Sequence, residues 1–183
     1  MIQEKTVKIT RTGLEVEFRS ARPDEAEAEI AYLKRACGET RFLLSEPEDV
    51  AYTAEGEKQF LAEYESSPRS LMLNAYVDGV LVGNGSFAPV SGANRLKHRC
   101  SVGIALFLEY CNRGIGELLM GILIERAREA GFEIMELDVF SANTGAIHLY
   151  EKLGFVRSGE RKNAIKYKDG TYADELLMAL PLK

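Results

Sequence analysis

Residues 104–116, I-A-L-F-L-E-Y-C-N-R-G-I-G, decide how this chain folds. Ile104 to Leu108 is short and continuously apolar, as suits a strand buried on both faces. The run breaks at Tyr110–Arg113. Beyond Gly114, Ile115, Leu118, Leu119, Ile122 and Ala127 recur at helical spacing, with Glu117, Glu125, Arg126, Arg128 and Glu129 on other faces. Gly114 and Gly116 therefore stand where a strand hands over to a helix. The first amides of a helix have no intrahelical acceptor, and the helix dipole favours an anion there. Glycine lets a phosphate approach that backbone without meeting a Cβ. The same two glycines are also ordinary turn chemistry. Glu117 and Leu118 follow Gly116, so neither a dinucleotide fingerprint nor a P-loop is met.

A second motif follows downstream, N-T-G-A-I-H-L-Y-E-K-L-G-F at 143–155. It comes after a strand-like run, Ile134 to Phe140, in which Met135, Leu137 and Val139 alternate with Glu136 and Asp138. Ser141 or Asn143 suits a helix cap, and Gly154 suits its stop. Asn143 and Tyr150 are seven residues apart, hence on one helix face and about 10 Å apart along the axis.

Here the chain resembles the GNAT (Gcn5-related) N-acetyltransferases. Those carry a Q/R-x-x-G-x-G/A loop that holds the pyrophosphate of acetyl-CoA, and commonly N-x-x-A-x-x-L-Y-x-x-x-G-F in the next unit. The second pattern is met by Asn143, Ala146, Leu149, Tyr150, Gly154 and Phe155. The first keeps Gly114 and Gly116, with Arg113 at an often basic position. It has Cys111 where glutamine or arginine is usual and Asn112 where glycine is frequent. The resemblance spans about Glu15 to Lys183.

A chain of 183 residues, 46% hydrophobic, is the size of one domain with a real core. A single domain is expected over 1–183, with 1–14 as an N-terminal strand extension of a core at 15–183. No run approaches eighteen apolar residues, and Met1–Lys5 lacks the start of a secretory signal. Cys37, Cys100 and Cys111 lack metal-site spacing and fit a reducing cytoplasm. The net charge of −5 argues against a nucleic-acid partner and suits a cationic amine. Remote carboxylates matter little to a bound phosphate, because the Debye length at physiological salt is about 8 Å.

Lys5–Arg19 reads as two strands around Arg11-Thr12-Gly13, and Pro23 and Asp24 open a helix to about Ala36. Gly38–Thr53 is irregular. Ala54–Glu65 reads as a second helix, with Phe60 and Leu61 on its apolar face. Asp78-Gly79 joins strands 71–77 and 80–87, the strongest hairpin signal in the chain. Asp169-Gly170 joins a closing pair, 155–167 and 172–180. The order β-β-α-α-β-β-β-α-β-α-β-β gives an α/β fold with a mixed, mostly antiparallel central sheet. The resemblance adds flanking helices and a splayed central strand pair, which admits the cofactor's pantetheine arm. It places Leu106 and Leu108 in backbone bonds to that arm, with Phe107 between them. It also assigns the loop at Arg113, Gly114, Ile115, Gly116 and Glu117 to the diphosphate. Asn143 is a cap, a cofactor contact, or both.

The resemblance assigns Tyr150 to the CoA sulfur as proton donor. A phenol is neutral at pH 7 and can donate where a carboxylate cannot. No general base is identifiable. Glu109, Glu136 and Asp138 are candidates; His98 precedes the central strand, and His148 reads as surface. At pH 7 a lysine-like amine costs about 4.6 kcal/mol to deprotonate and an α-amine about 1 kcal/mol, which favours the latter without a strong base. The implied activity is acetyl-CoA-dependent transfer to a primary amine, direct and metal-free. An acyl-enzyme on Cys111 would be the exception. The end of the chain resembles the branch of ribosomal-protein N-terminal acetyltransferases. The rival reading is a non-catalytic acyl-CoA sensor. Whether two copies pair through exposed strands stays open.

Overall fold

A computed structural model describes residues 1–183. Its strands are β1 (Thr6–Ile9), β2 (Glu15–Ser20), β3 (Leu71–Val77), β4 (Val80–Pro89), β5 (Arg99–Leu106), β6 (Ile134–Phe140), β7 (Val156–Lys166) and β8 (Tyr172–Pro181). Its helices are α1 (Ala26–Glu39), α2 (Ala54–Ser66), α3 (Ile115–Glu129) and α4 (Thr144–Lys152). One eight-stranded sheet runs β1-β2-β3-β4-β5-β6-β8-β7, antiparallel everywhere except between β5 and β6. This is the expected α/β architecture and element order. Parallel neighbours need a crossover, and α3 supplies it.

The local chemistry is direct. Asp78 and Gly79 both take positive φ, +50° and +79°, which is the primed turn a two-residue hairpin needs. Thr53 caps α2 by accepting from the Gly56 amide. Leu61 is fully buried, whereas Phe60 is 42% exposed. The expected apolar face of α2 thus splits into a core anchor and a rim residue.

The β5–β6 pair positions the site. It holds only over Arg99↔Ile134, Cys100↔Met135 and Ser101↔Glu136; beyond Ser101 the two strands part. Backbone polar groups alternate sides along a strand. The Phe107 amide donates to the Val82 carbonyl, on the β4 side. The amides and carbonyls of Ile104 and Leu106, beyond the paired segment, therefore face the opening. β5 also ends at Leu106, two residues before the expected boundary. Leu108 begins a 3₁₀ turn, Leu108–Tyr110, and its amide donates to Glu39 Oε2 at 2.7 Å. Pairing of an incoming arm with Leu108 is thereby corrected: that amide is engaged, and so is that of Phe107.

The two faces of the sheet differ. Isoleucine and leucine side chains of β5 point to α3, and glycine on β4 makes room for them. A Cβ on Gly85 would lie 2.7 Å from Ile104 Cγ2 and 2.9 Å from Leu123 Cδ1. Gly85→Val should therefore cost about 1–3 kcal/mol through overpacking. Urea unfolding followed by circular dichroism measures this; an unchanged midpoint would refute it. On the opposite face, Tyr32 of α1 inserts its hydroxyl between β4 and β5. The hydroxyl accepts from the Asn84 amide at 3.2 Å and donates to the Ala105 carbonyl at 2.8 Å.

Candidate functional site

Two helix N-termini converge where β5 and β6 part, at the carboxyl ends of the only parallel pair. That is where open α/β sheets place ligands. At the first, the Leu118 amide bonds the Gly114 carbonyl at 3.3 Å, and no backbone acceptor serves the amides of Arg113, Gly114, Ile115, Gly116 and Glu117. Five consecutive donors are free. Gly114 sits at φ +91°, a left-handed conformation strained for any other residue. The turn of the β1–β2 hairpin packs against this loop, and Thr12 Oγ1 donates to the Arg113 carbonyl at 3.0 Å. Sequence gave no hint of that contact, which joins residues 101 positions apart. The Arg113 guanidinium is exposed, 5.4 Å from the Tyr110 ring centroid.

Gly116 departs from the simple cradle. It is buried, and a Cβ there would meet Leu149 Cδ2 at 3.2 Å and Leu106 Cδ1 at 3.5 Å. Its missing side chain thus lets α3 seat close to β5 and α4, while its amide remains a free donor. The Glu117 carboxylate accepts from Lys152 Nζ at 2.6 Å, which holds it well below the usual carboxylate range and cross-links α3 to α4. Only its amide belongs to the donor row.

At the second N-terminus, Asn143 caps α4, accepting from the Ala146 amide at 3.2 Å. The capping alternative is present, and a cofactor contact is compatible with it. Tyr150, seven residues on, is 7% exposed, with its ring 5.8 Å from that of Phe155. Its hydroxyl makes no hydrogen bond within the chain, and burial pushes its pKa up to about 12. It is a phenol held protonated.

A cleft of about 720 Å³ opens on the other face, between α1, α2 and the β4–β5 ladder. Gly103, Ile104 and Ala105 of β5 form part of its wall, so cleft and strand opening share one stretch of backbone. Glu29 lines it at 3% exposure. Its Oε1 accepts a short hydrogen bond from Asn74 Nδ2, and burial pushes its pKa up to about 7 against the opposing effect of Asn74 and Asn84.

The model of the acetyltransferase (GNAT) family matches residues 32–155. The chain belongs to the GNAT family. Within it, this chain is 37% identical over 79 residues to the ribosomal protein bS18-alanine N-acetyltransferase of Escherichia coli K12, 43% of this chain and 53% of that protein. It is 28% identical over 105 residues to the L-amino acid N-acyltransferase MnaT of the same organism, 57% of this chain and 60% of that one. The chain thus spans a little over half the length of these two relatives. A GNAT acetyltransferase structure from Streptococcus pneumoniae superposes with a TM-score of 0.87 at 29% identity, covering 91% of this chain and 99% of that one.

The GNAT chain brings some of the anticipated residues together and sets others apart. Leu106, the amides of 113–117, Asn143 and Tyr150 surround the strand opening. Leu108 is 58% exposed and turned away from pairing. His148 is exposed, as expected. His98 precedes Arg99, some six residues and hence about 20 Å of strand from Ile104, too far to touch a substrate there. The three candidate bases are all ion-paired: Glu109 with Arg35 at 2.7 Å, Glu136 bidentate with Arg99 at 2.5 and 2.6 Å, and Asp138 with Arg161 at 2.8 Å. The sequence missed Glu29. The signal was present, since Glu29 shares the i, i+3, i+4, i+7 stripe of Tyr32, Leu33 and Ala36. A charge on an apolar stripe is rarely solvated.

Proposed function

We propose that this GNAT protein is an acetyl-CoA-dependent N-acetyltransferase that moves the acetyl group directly to a primary amine. One observation carries the proposal: five unpaired amides stand at the end of a strand whose outer edge is open, with a protonated phenol across the gap. Residues and cosubstrate fit. The amides of Arg113 to Glu117, with the Arg113 guanidinium, suit a diphosphate, each favourable contact being worth about 0.3–2 kcal/mol. The outer edges of Leu106 and Ile104 suit an amide-bearing arm by strand-like pairing. Acetyl-CoA, when bound, supplies an activated thioester carbonyl.

The chain's own residues do the rest. Tyr150 donates a proton to the departing sulfur, and its raised pKa keeps that proton in place at neutral pH. Cys111 is no acyl carrier in this reading. Burial and then Glu39 push its thiol up, so the nucleophilic thiolate is scarce. Three free cysteines, two of them buried, suit a reducing cytoplasm. No helix is long and apolar enough to cross a membrane. The two curated relatives are named for acyl transfer to an L-amino acid and to an alanine of a ribosomal protein, which supports an amine acceptor here.

A thiol-release assay with acetyl-CoA over a panel of amines tests the proposal. Amine-dependent release of free CoA is expected. Acetyl-CoA binding without release for any amine would instead identify a sensor.

A further inference from the structure

The cleft between α1 and α2 carries a pattern of its own. Fifteen residues line it; none is basic, and two, Glu29 and Glu57, are acidic. The remaining wall is largely apolar, with Leu33, Leu43 and Met72 within and Tyr52 and Phe60 at the rim, 49% and 42% exposed. Its volume is that of a small-molecule site. Glu29 is almost wholly buried yet has no cationic partner. Asn74 donates to it, and the Asn74 amide also donates to Tyr76 Oη at 3.0 Å, leaving Asn74 Oδ1 buried without any partner. The other charges around Glu29 are carboxylates, Glu25 and Glu57, and the Arg19 guanidinium is taken up by Glu25 through bonds of 2.7 and 2.5 Å. Tyr32, one turn along α1, is a neutral phenol committed to the β4–β5 ladder. A buried carboxyl without a counter-ion is a costly arrangement, and such groups cluster where a ligand completes them.

We propose that this cleft is the acceptor site, that Glu29 at its floor receives the ammonium of the acceptor and removes its proton, and that the acceptor is an apolar-bodied primary amine bearing no carboxylate beside the nitrogen. The inference rests on the acetyl-transfer reading above. The absence of any basic lining residue carries the exclusion: an α-carboxylate would be desolvated beside two acidic side chains with nothing to pair it. Free amino acids are thereby disfavoured, whereas a free amine or the first residue of a peptide qualifies. In the step itself the ammonium gives one proton to the Glu29 carboxylate. The nitrogen lone pair then forms the N–C bond as the C–S bond breaks. The sulfur takes the Tyr150 proton, and the second proton lost by the nitrogen leaves through solvent to restore the phenol.

Titration calorimetry on the whole protein with three probes tests this: 3-methylbutylamine, leucine, and a short peptide beginning with leucine. The first two differ by one carboxylate. The amine is expected to bind at least tenfold more tightly than leucine, and Glu29→Gln is expected to weaken it at least tenfold while acetyl-CoA affinity stays within about threefold. The sign with pH follows from the ionised form being the binder. With a carboxyl at about 7, amine affinity falls roughly tenfold from pH 8 to pH 6, and the glutamine variant loses that dependence. Tighter binding of the peptide than of the amine identifies a polypeptide N-terminus as the source. Leucine equal to the amine, or a Glu29→Gln protein that binds the amine normally, overturns the inference. Intact amine binding without CoA release would count against the transferase reading alone.

Discussion

Tyr150→Phe is expected to lower turnover by roughly 10²–10⁴-fold while the dissociation constant for acetyl-CoA stays within about threefold. The substitution removes one hydroxyl from a ring that is 7% exposed and packed against Phe155. That hydroxyl has no partner inside the chain, so its loss breaks no internal bond and leaves the fold intact. A structural role would show as reduced stability, which thermal unfolding detects. A role in cosubstrate binding would appear in calorimetry, and the proposed role only in turnover. Unchanged turnover would remove Tyr150 from the chemistry.

Gly116→Asp should reduce acetyl-CoA affinity at least 100-fold. The new side chain enters a corner already occupied by Leu149, Leu106 and Ile104, whose atoms lie 3.2–3.6 Å from the Cβ position. It pries α4 from α3 and sets a carboxylate beside amides expected to hold a diphosphate. Gly116→Ala separates bulk from charge. Its Cβ meets only the flexible ends of those side chains, so binding within about tenfold of the parent is expected, with native circular dichroism. Normal calorimetric binding by the aspartate variant would refute the donor row as the diphosphate site.

The strand–turn–helix at 104–129 and the cap and stop of the helix after Asn143 were readable from sequence because each is governed by neighbours within a few residues. The glycine hairpins were readable for the same reason. The strand boundary at Leu106 was not. It is set by Glu39, 69 positions away, which captures the Leu108 amide. Glu29 was missed on similar grounds: its burial is created by Asn74, 45 residues distant, and by the closure of α2 over the sheet. Carboxylates on strands suggest bases, yet Arg99 reaches Glu136 diagonally from β5 and Arg161 reaches Asp138 from β7 across β8, contacts that only the sheet order reveals.

The Tyr32 hydroxyl, wedged into the β4–β5 ladder, has a consequence for motion. One rung of the sheet is closed by a residue of α1, so that rung stays shut only while the helix is docked. The deuterium exchange rate of a single proton, the Asn84 amide, therefore reports how often α1 lifts from the sheet. Because Glu29 lies one turn before Tyr32 on the same helix, occupancy of the cleft should slow that exchange, making the strand pair a built-in gauge of acceptor loading.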